Sequence, residues 1–192
     1  MKRILLIGIF FILLFAGYLL SITPSYDTLD ISEALEIARV TLKDNQEILV
    51  FDSKNPFNFY DVLHRIDQIS NQQVFGILTK PDNSGTYPVI IGVAGSAGWG
   101  EHHYGYLERY LEMGFAVFSL HSFKSRGVES TVGEQLTVTI PMMIYDSFMA
   151  LNKLSEDQNI DASRAGLTGW SLGGVLLYFQ HGHLYKRPFH QI

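Results

Sequence analysis

The chain has 192 residues, 47% of them hydrophobic, and a formal net charge of −5 from 14 Lys and Arg against 19 Asp and Glu. That size and apolar content suit one globular domain with a real core, and an acidic balance without a basic run gives nucleic acid no electrostatic footing. The absence of cysteine excludes disulfides, thiolate nucleophiles and Cys-ligated zinc, so covalent catalysis would fall to Ser, Thr, Lys or a carboxylate.

Lys2 and Arg3 precede an apolar run from Ile4 to Leu20, which as a helix would extend roughly 25 Å at about 1.5 Å per residue. The exit, Tyr18-Leu19-Leu20-Ser21-Ile22, offers no small-x-small cleavage site, so residues 1–22 read as a signal anchor, with a cleaved signal peptide as the alternative. The two N-terminal positive charges would stay cytoplasmic. That leaves a membrane-anchored, extracytoplasmic domain, or a secreted one if the signal is cleaved. Residues 23–45 read as a linker and short helix: Thr23-Pro24-Ser25 breaks the run, and Ile31, Leu35 and Ala38 then recur at helical spacing.

The domain proper spans residues 46–192. Ile48-Leu49-Val50-Phe51 and Val74-Phe75-Gly76-Ile77-Leu78 predict strands, the second closed by a turn at Lys80-Pro81-Asp82-Asn83-Ser84-Gly85. From Tyr87 the pattern alternates. Val89-Ile90-Ile91-Gly92-Val93 is a short continuous apolar run, as a strand covered on both faces requires. A helix over Glu101 to Met113 follows, with Gly114 suited to its C′ position. Phe115 to Leu120 predicts the next strand, a helical stretch running to about Leu154 is started or kinked by Pro141, and Ala165-Gly166-Leu167-Thr168 predicts the last strand. Strand, helix, strand, helix, strand with short connections implies the α/β class, a mostly parallel sheet with helices on both faces.

That last strand runs into Gly169-Trp170-Ser171-Leu172-Gly173-Gly174. A G-x-S-x-G sequence between strand and helix forces the serine into a strained turn that exposes its hydroxyl, and small residues two positions to either side keep the turn free of clashes. Ser171 is therefore the candidate nucleophile, with the Leu172 N–H as one oxyanion donor at a helix N-terminus. The second donor is expected from Ala94-Gly95-Ser96-Ala97-Gly98-Trp99-Gly100: Ser96 N–H first, Ala97 N–H as the alternative. This stretch has neither G-x-G-x-x-G order nor a Gly-Lys-Ser/Thr ending, which argues against a phosphate loop. His103, beside His102, either meets substrate at the site's mouth or ends a helix as a polar residue. Arg126, in His121-Ser122-Phe123-Lys124-Ser125-Arg126-Gly127 after a strand, either meets an anionic substrate group or is a solvated loop charge.

The joint order of Ala94-Gly95-Ser96-Ala97-Gly98, Ser122-Phe123 with Arg126-Gly127-Val128, Thr131-Val132-Gly133-Glu134-Gln135, Asn159-Ile160-Asp161 with Arg164, and Gly169-Trp170-Ser171-Leu172-Gly173-Gly174 resembles the dienelactone hydrolase family of α/β-hydrolases. The likeness runs from about Ile48 to Val175. It implies a cofactor-free, metal-free serine hydrolase acting on small carboxylic esters or lactones through Ser, Asp and His. The chain has Ala94 where the family often has His, and His121 where it often has Asp. In this fold the acid and the histidine follow the nucleophile, yet no Asp or Glu follows Ser171, and the tail from Gln180 abandons the helical pattern. The expectation is a C-terminally incomplete α/β-hydrolase, inactive or nearly so. His181, His183 and His190 would be carried away from the hydroxyl by the helix behind it. The alternatives are a non-catalytic membrane-tethered module keeping the hydrolase sheet, or an acyltransferase or peptidase of the same fold.

Overall fold

The computed structural model describes residues 31–82 and 85–182, with side chains to Leu177. The apolar run, with the anchor and localisation readings built on it, lies outside the described residues, as do His183 and His190. Among the described residues no helix is long and apolar enough to cross a membrane.

Helix α1 (Ser32–Thr41) leads into strand β1 (Gln46–Lys54), which pairs antiparallel with β2 (Asn71–Thr79) in a ladder running from Gln46 opposite Thr79 to Lys54 opposite Asn71. Both strands outrun their apolar centres because the ladder needs only backbone donors and acceptors, which the flanking polar residues also supply. Strand β3 (Tyr87–Val93), helix α2 (Glu101–Glu112) and strand β4 (Ala116–Leu120) follow, then helix α3 (Ile140–Leu154), strand β5 (Ile160–Gly169) and helix α4 (Leu172–Gly182). Gly114, at φ 87°, takes up the left-handed position expected of it after α2. Pro141 starts α3 rather than kinking it: Thr139 caps the helix by accepting from the Met142 N–H at 3.4 Å, and proline occupies the first turn, where it has no bond to lose.

The described sheet has the order β1-β2-β4-β3-β5. β3 pairs parallel with β4 and β5, β2 pairs antiparallel with β1 and β4, and so β2 alone opposes the other strands. Strand β5 is longer than the predicted Ala165–Thr168 because it begins pairing at Ile160 and then bulges. Within the bulge the Asp161 carboxylate accepts from the Ser163 N–H at 3.1 Å and from Arg164 Nε at 2.6 Å, so the displaced residues bond one another.

Helices lie on both faces, as expected. On β4, Ala116, Phe118 and Leu120 join Met142, Met143, Ile144, Leu172 and Leu176 in the core. The alternate residues Val117 and Ser119 line a hollow with Leu107 and Leu111 of α2. The α3–α4 face thus holds the main core, and the ends of β3, β4 and β5 open toward the segment that carries the site.

Among the described residues one ion pair has both partners buried, and it corrects both readings of Arg126. That side chain is neither a substrate contact nor a solvated charge: Arg126 is 2% exposed and Asp146 of α3 is 0% exposed. The guanidinium grips Asp146 with two bonds, of 2.8 and 3.0 Å. It also donates to Asn55 Oδ1, the Ser122 carbonyl and the Lys54 carbonyl. Five N–H groups meet five acceptors, leaving none for a ligand. Ser53 Oγ donates to Asp146 at 2.5 Å, so β1, α3 and the loop after β4 are joined through one carboxylate.

Removing one partner strands the other in the core. Arg126→Met is expected to cost about 3–5 kcal/mol of stability, and a second change, Asp146→Leu, to restore most of it. Urea unfolding of the single and double variants checks both.

Candidate active site

Strand β5 ends at Gly169 and α4 begins at Leu172, leaving two residues, Trp170 and Ser171, to reverse the chain. Ser171 has φ 50° and is the one non-glycine residue with positive φ among the described residues. Left-handed backbone disfavours a residue with a Cβ, and it persists here because the surroundings leave no other path. A Cβ on Gly169 would lie 2.3 Å from the Gly173 carbonyl oxygen, and one on Gly173 would lie 2.3 Å from the Val93 oxygen and 2.6 Å from the Ala94 oxygen. The two motif glycines thus do more than relieve the turn. They let the start of α4 rest against the end of β3. Ser171 stands exposed.

The same contact brings up the expected oxyanion loop. A Cβ on Gly95 would lie 3.0 Å from the Trp170 carbonyl oxygen and 3.3 Å from Ser171 Cβ. Gly95–Gly98 is a turn closed by the Gly98 N–H donating to the Gly95 carbonyl at 2.9 Å, with Ser96 and Ala97 at its tip. A strap after the Arg126 turn braces it. The Thr131 N–H and the Ser130 hydroxyl both donate to the Ser96 carbonyl, at 2.8 and 3.1 Å. Ser96, Ala97 and Ser171 line one open depression of about 470 Å³, with Trp170 and His103 on one side and the strap residues Val132 and Gln135 on another.

His103 is buried, and its Nδ1 accepts from the Gly100 N–H at 3.0 Å, closing the first turn of α2. The helix-end alternative accounts for that nitrogen, while the ring still borders the depression, 4.7 Å from the Trp170 ring. Burial, helped by the neighbouring His102, lowers its pKa. Arg126 is absent from the site, as shown above.

Two features escaped the sequence. Asp146 could have been flagged, since a carboxylate among Met142, Met143 and Ala150 on an apolar helix face demands a buried partner. His121 gave no such signal. It is 6% exposed and stacks on Phe75 of β2, ring centroids 4.9 Å apart and planes within 6°. Burial, with Lys124 contributing, pushes its pKa down to about 3.

No protein-family model and no curated protein matches the sequence. Among solved structures, the chain is similar to a dienelactone hydrolase-like promiscuous phosphotriesterase, P91, from metagenomic libraries: 14% identity, TM-score 0.46, covering 66% of this chain and 49% of that one. It is also similar to a putative dienelactone hydrolase from Klebsiella pneumoniae (17%, TM-score 0.46, 71% and 55%). An acetyl xylan esterase from Paenibacillus sp. R4 overlaps it less closely (16%, TM-score 0.42, 76% and 52%). The chain spans about half the length of these proteins.

Two outcomes test the site's construction. Gly173→Ala presses a methyl group against two backbone carbonyls that cannot rotate away, so it should cost about 3 kcal/mol in urea unfolding; an unchanged midpoint would disprove the packing. The pKa of His121 falls from 6.5 to about 3 on folding, so its titration leaves the stability of the fold at full value above pH 6.5. Stability is lost on acidification toward pH 3, since the unfolded chain takes up the proton first. One such group accounts for a slope of up to roughly 1.4 kcal/mol per pH unit in that window. His121→Phe, which keeps the stack on Phe75, should flatten that slope.

Proposed function

We propose that this chain carries the nucleophile and oxyanion elements of a serine hydrolase of the dienelactone hydrolase type, acting on small carboxylic esters or lactones. One observation carries the proposal: an exposed serine in left-handed backbone at a strand–helix turn, with the Gly95–Gly98 loop packed against it. Ser171 Oγ attacks the substrate carbonyl, giving up its proton to a base. The oxyanion is received by the N–H groups of Leu172 and Ser96, with Ala97 as the alternative to Ser96, and water resolves the acyl-enzyme. The start of α4 adds the positive end of a helix dipole to the same point.

The depression's lining contains no Lys, Arg, Asp or Glu, and Arg126 is committed to Asp146. A neutral ester therefore fits better than one bearing a carboxylate. Exposed Val132, with Trp170, offers it apolar surface. The apolar run behind Lys2 and Arg3 supports a membrane tether with the domain outside the cytoplasm.

We assign no general base. Among the described residues, His103 spends Nδ1 on α2. Oxyanion donors and substrate binding by themselves accelerate such reactions by about 10³-fold over water, with or without the serine, so the rate alone does not report on Ser171. The purified chain incubated with p-nitrophenyl acetate should carry one acetyl group on Ser171 by mass spectrometry, and Ser171→Ala should carry none. Absence of the adduct from the native chain would overturn the nucleophile.

A further inference from the structure

A second hollow, of about 120 Å³, shares Ala97 and Gly98 with the Ser171 depression and reaches the carboxyl ends of β3 and β4 at Val93 and Leu120. Trp99, Tyr104 and Phe123 give it aromatic walls, and its buried polar lining is His121 and Ser122. These two side chains are 6% and 4% exposed. Neither ring nitrogen of His121, nor Ser122 Oγ, has a hydrogen-bond partner among the described residues.

An unpaired buried polar atom destabilises the folded state, and folded proteins keep few of them. Three of the four found among the described residues belong to two consecutive residues lining one cavity. Ser125 and Arg126, in the same turn, are fully paired. Ser125 Oγ donates to the His121 carbonyl and accepts from the Phe75 N–H, while Arg126 saturates its donors four residues beyond Ser122. Folding alone would favour apolar side chains at 121 and 122.

We propose that the cavity binds a small neutral molecule, of about the size of phenol, whose polar group both donates to and accepts from His121 and Ser122. The size is set by volume: an enclosed cavity of about 150 Å³ accepts benzene, and this hollow of about 120 Å³ gains room where it joins the Ser171 depression at Ala97 and Gly98. The polarity follows from the lining: a buried, neutral imidazole presents one N–H and one bare nitrogen, and the hydroxyl presents both functions. The neutrality follows from the surroundings. Lys124 and Glu129, the charged residues of the lining, pair with each other at 3.8 Å and are both exposed to solvent, so neither places a buried charge in the cavity. An aromatic ligand would meet Trp99, whose own Nε1–H is taken up by the Leu120 carbonyl at 3.0 Å. The site does not depend on Ser171 being a nucleophile.

Calorimetric titration of the purified full chain tests this with phenol, toluene and benzoate as probes. Phenol should bind at least tenfold more tightly than toluene, which leaves the polar atoms unpaired, and than benzoate, which brings an uncompensated charge. His121→Phe should raise the melting temperature, because it removes two orphaned atoms and keeps the stack. It should also weaken phenol at least tenfold with toluene unchanged. Ser122→Ala should weaken phenol as well, and it decides the matter if the first variant fails to fold. Ser171→Ala should bind phenol as the native chain does, which separates this site from the catalytic one. Absence of phenol binding, equal affinity for toluene, or unweakened binding by the folded variants would each overturn the proposal.

Discussion

The close approach of Gly173 to the Val93 and Ala94 carbonyls is the constraint on which the rest of the site depends. Only a residue without a Cβ allows the start of α4 to touch the end of β3. That contact fixes how far the chain must bend between β5 and α4, and so drives Ser171 to φ 50°. The strain is local, and the α3–α4 core that buries Leu172 and Leu176 sustains it. The same approach sets Gly95 against Trp170 and Ser171, so Ser171 and the Gly95–Gly98 loop are positioned by one backbone contact.

Around that contact the protein uses buried polar groups in two ways. The Arg126–Asp146 pair is saturated, with every guanidinium donor occupied. It pins the loop after β4 to β1 and α3, and the strap that follows then braces Ser96. Such a pair specifies geometry more than it adds stability, because desolvating two charges consumes most of their attraction. A few residues earlier, His121 and Ser122 are equally buried and unpaired. Rigid support and orphaned polarity on one short loop are the pattern expected of a framework that presents groups to something other than itself.

The alternation of apolar strands and amphipathic helices was legible because a helix period and a two-sided apolar run are local properties, and the limits of α1 and α2 and the end of α3 came within a residue or two. The motif glycines were legible too, since G-x-S-x-G carries its own steric requirement. Strand β5 was read too short because its first half pairs through a bulge of polar, self-bonded residues that leaves no apolar pattern. Arg126 was misread for a deeper reason. Its partner is 20 residues away on an apolar helix face, and no window along the chain shows that Asp146 waits there.

The sequence by itself determined the class of fold, the place of the strand–helix turn and the residue presented there, because periodicity, glycine spacing and the chemistry of the hydroxyl are written in neighbouring positions. The tertiary structure decided which polar side chains are available. Arg126 was withdrawn into an ion pair, His103 spent one nitrogen on a helix end, and His121 was buried without a partner. Availability depends on what lies across space from each group, and only folding brings those groups together.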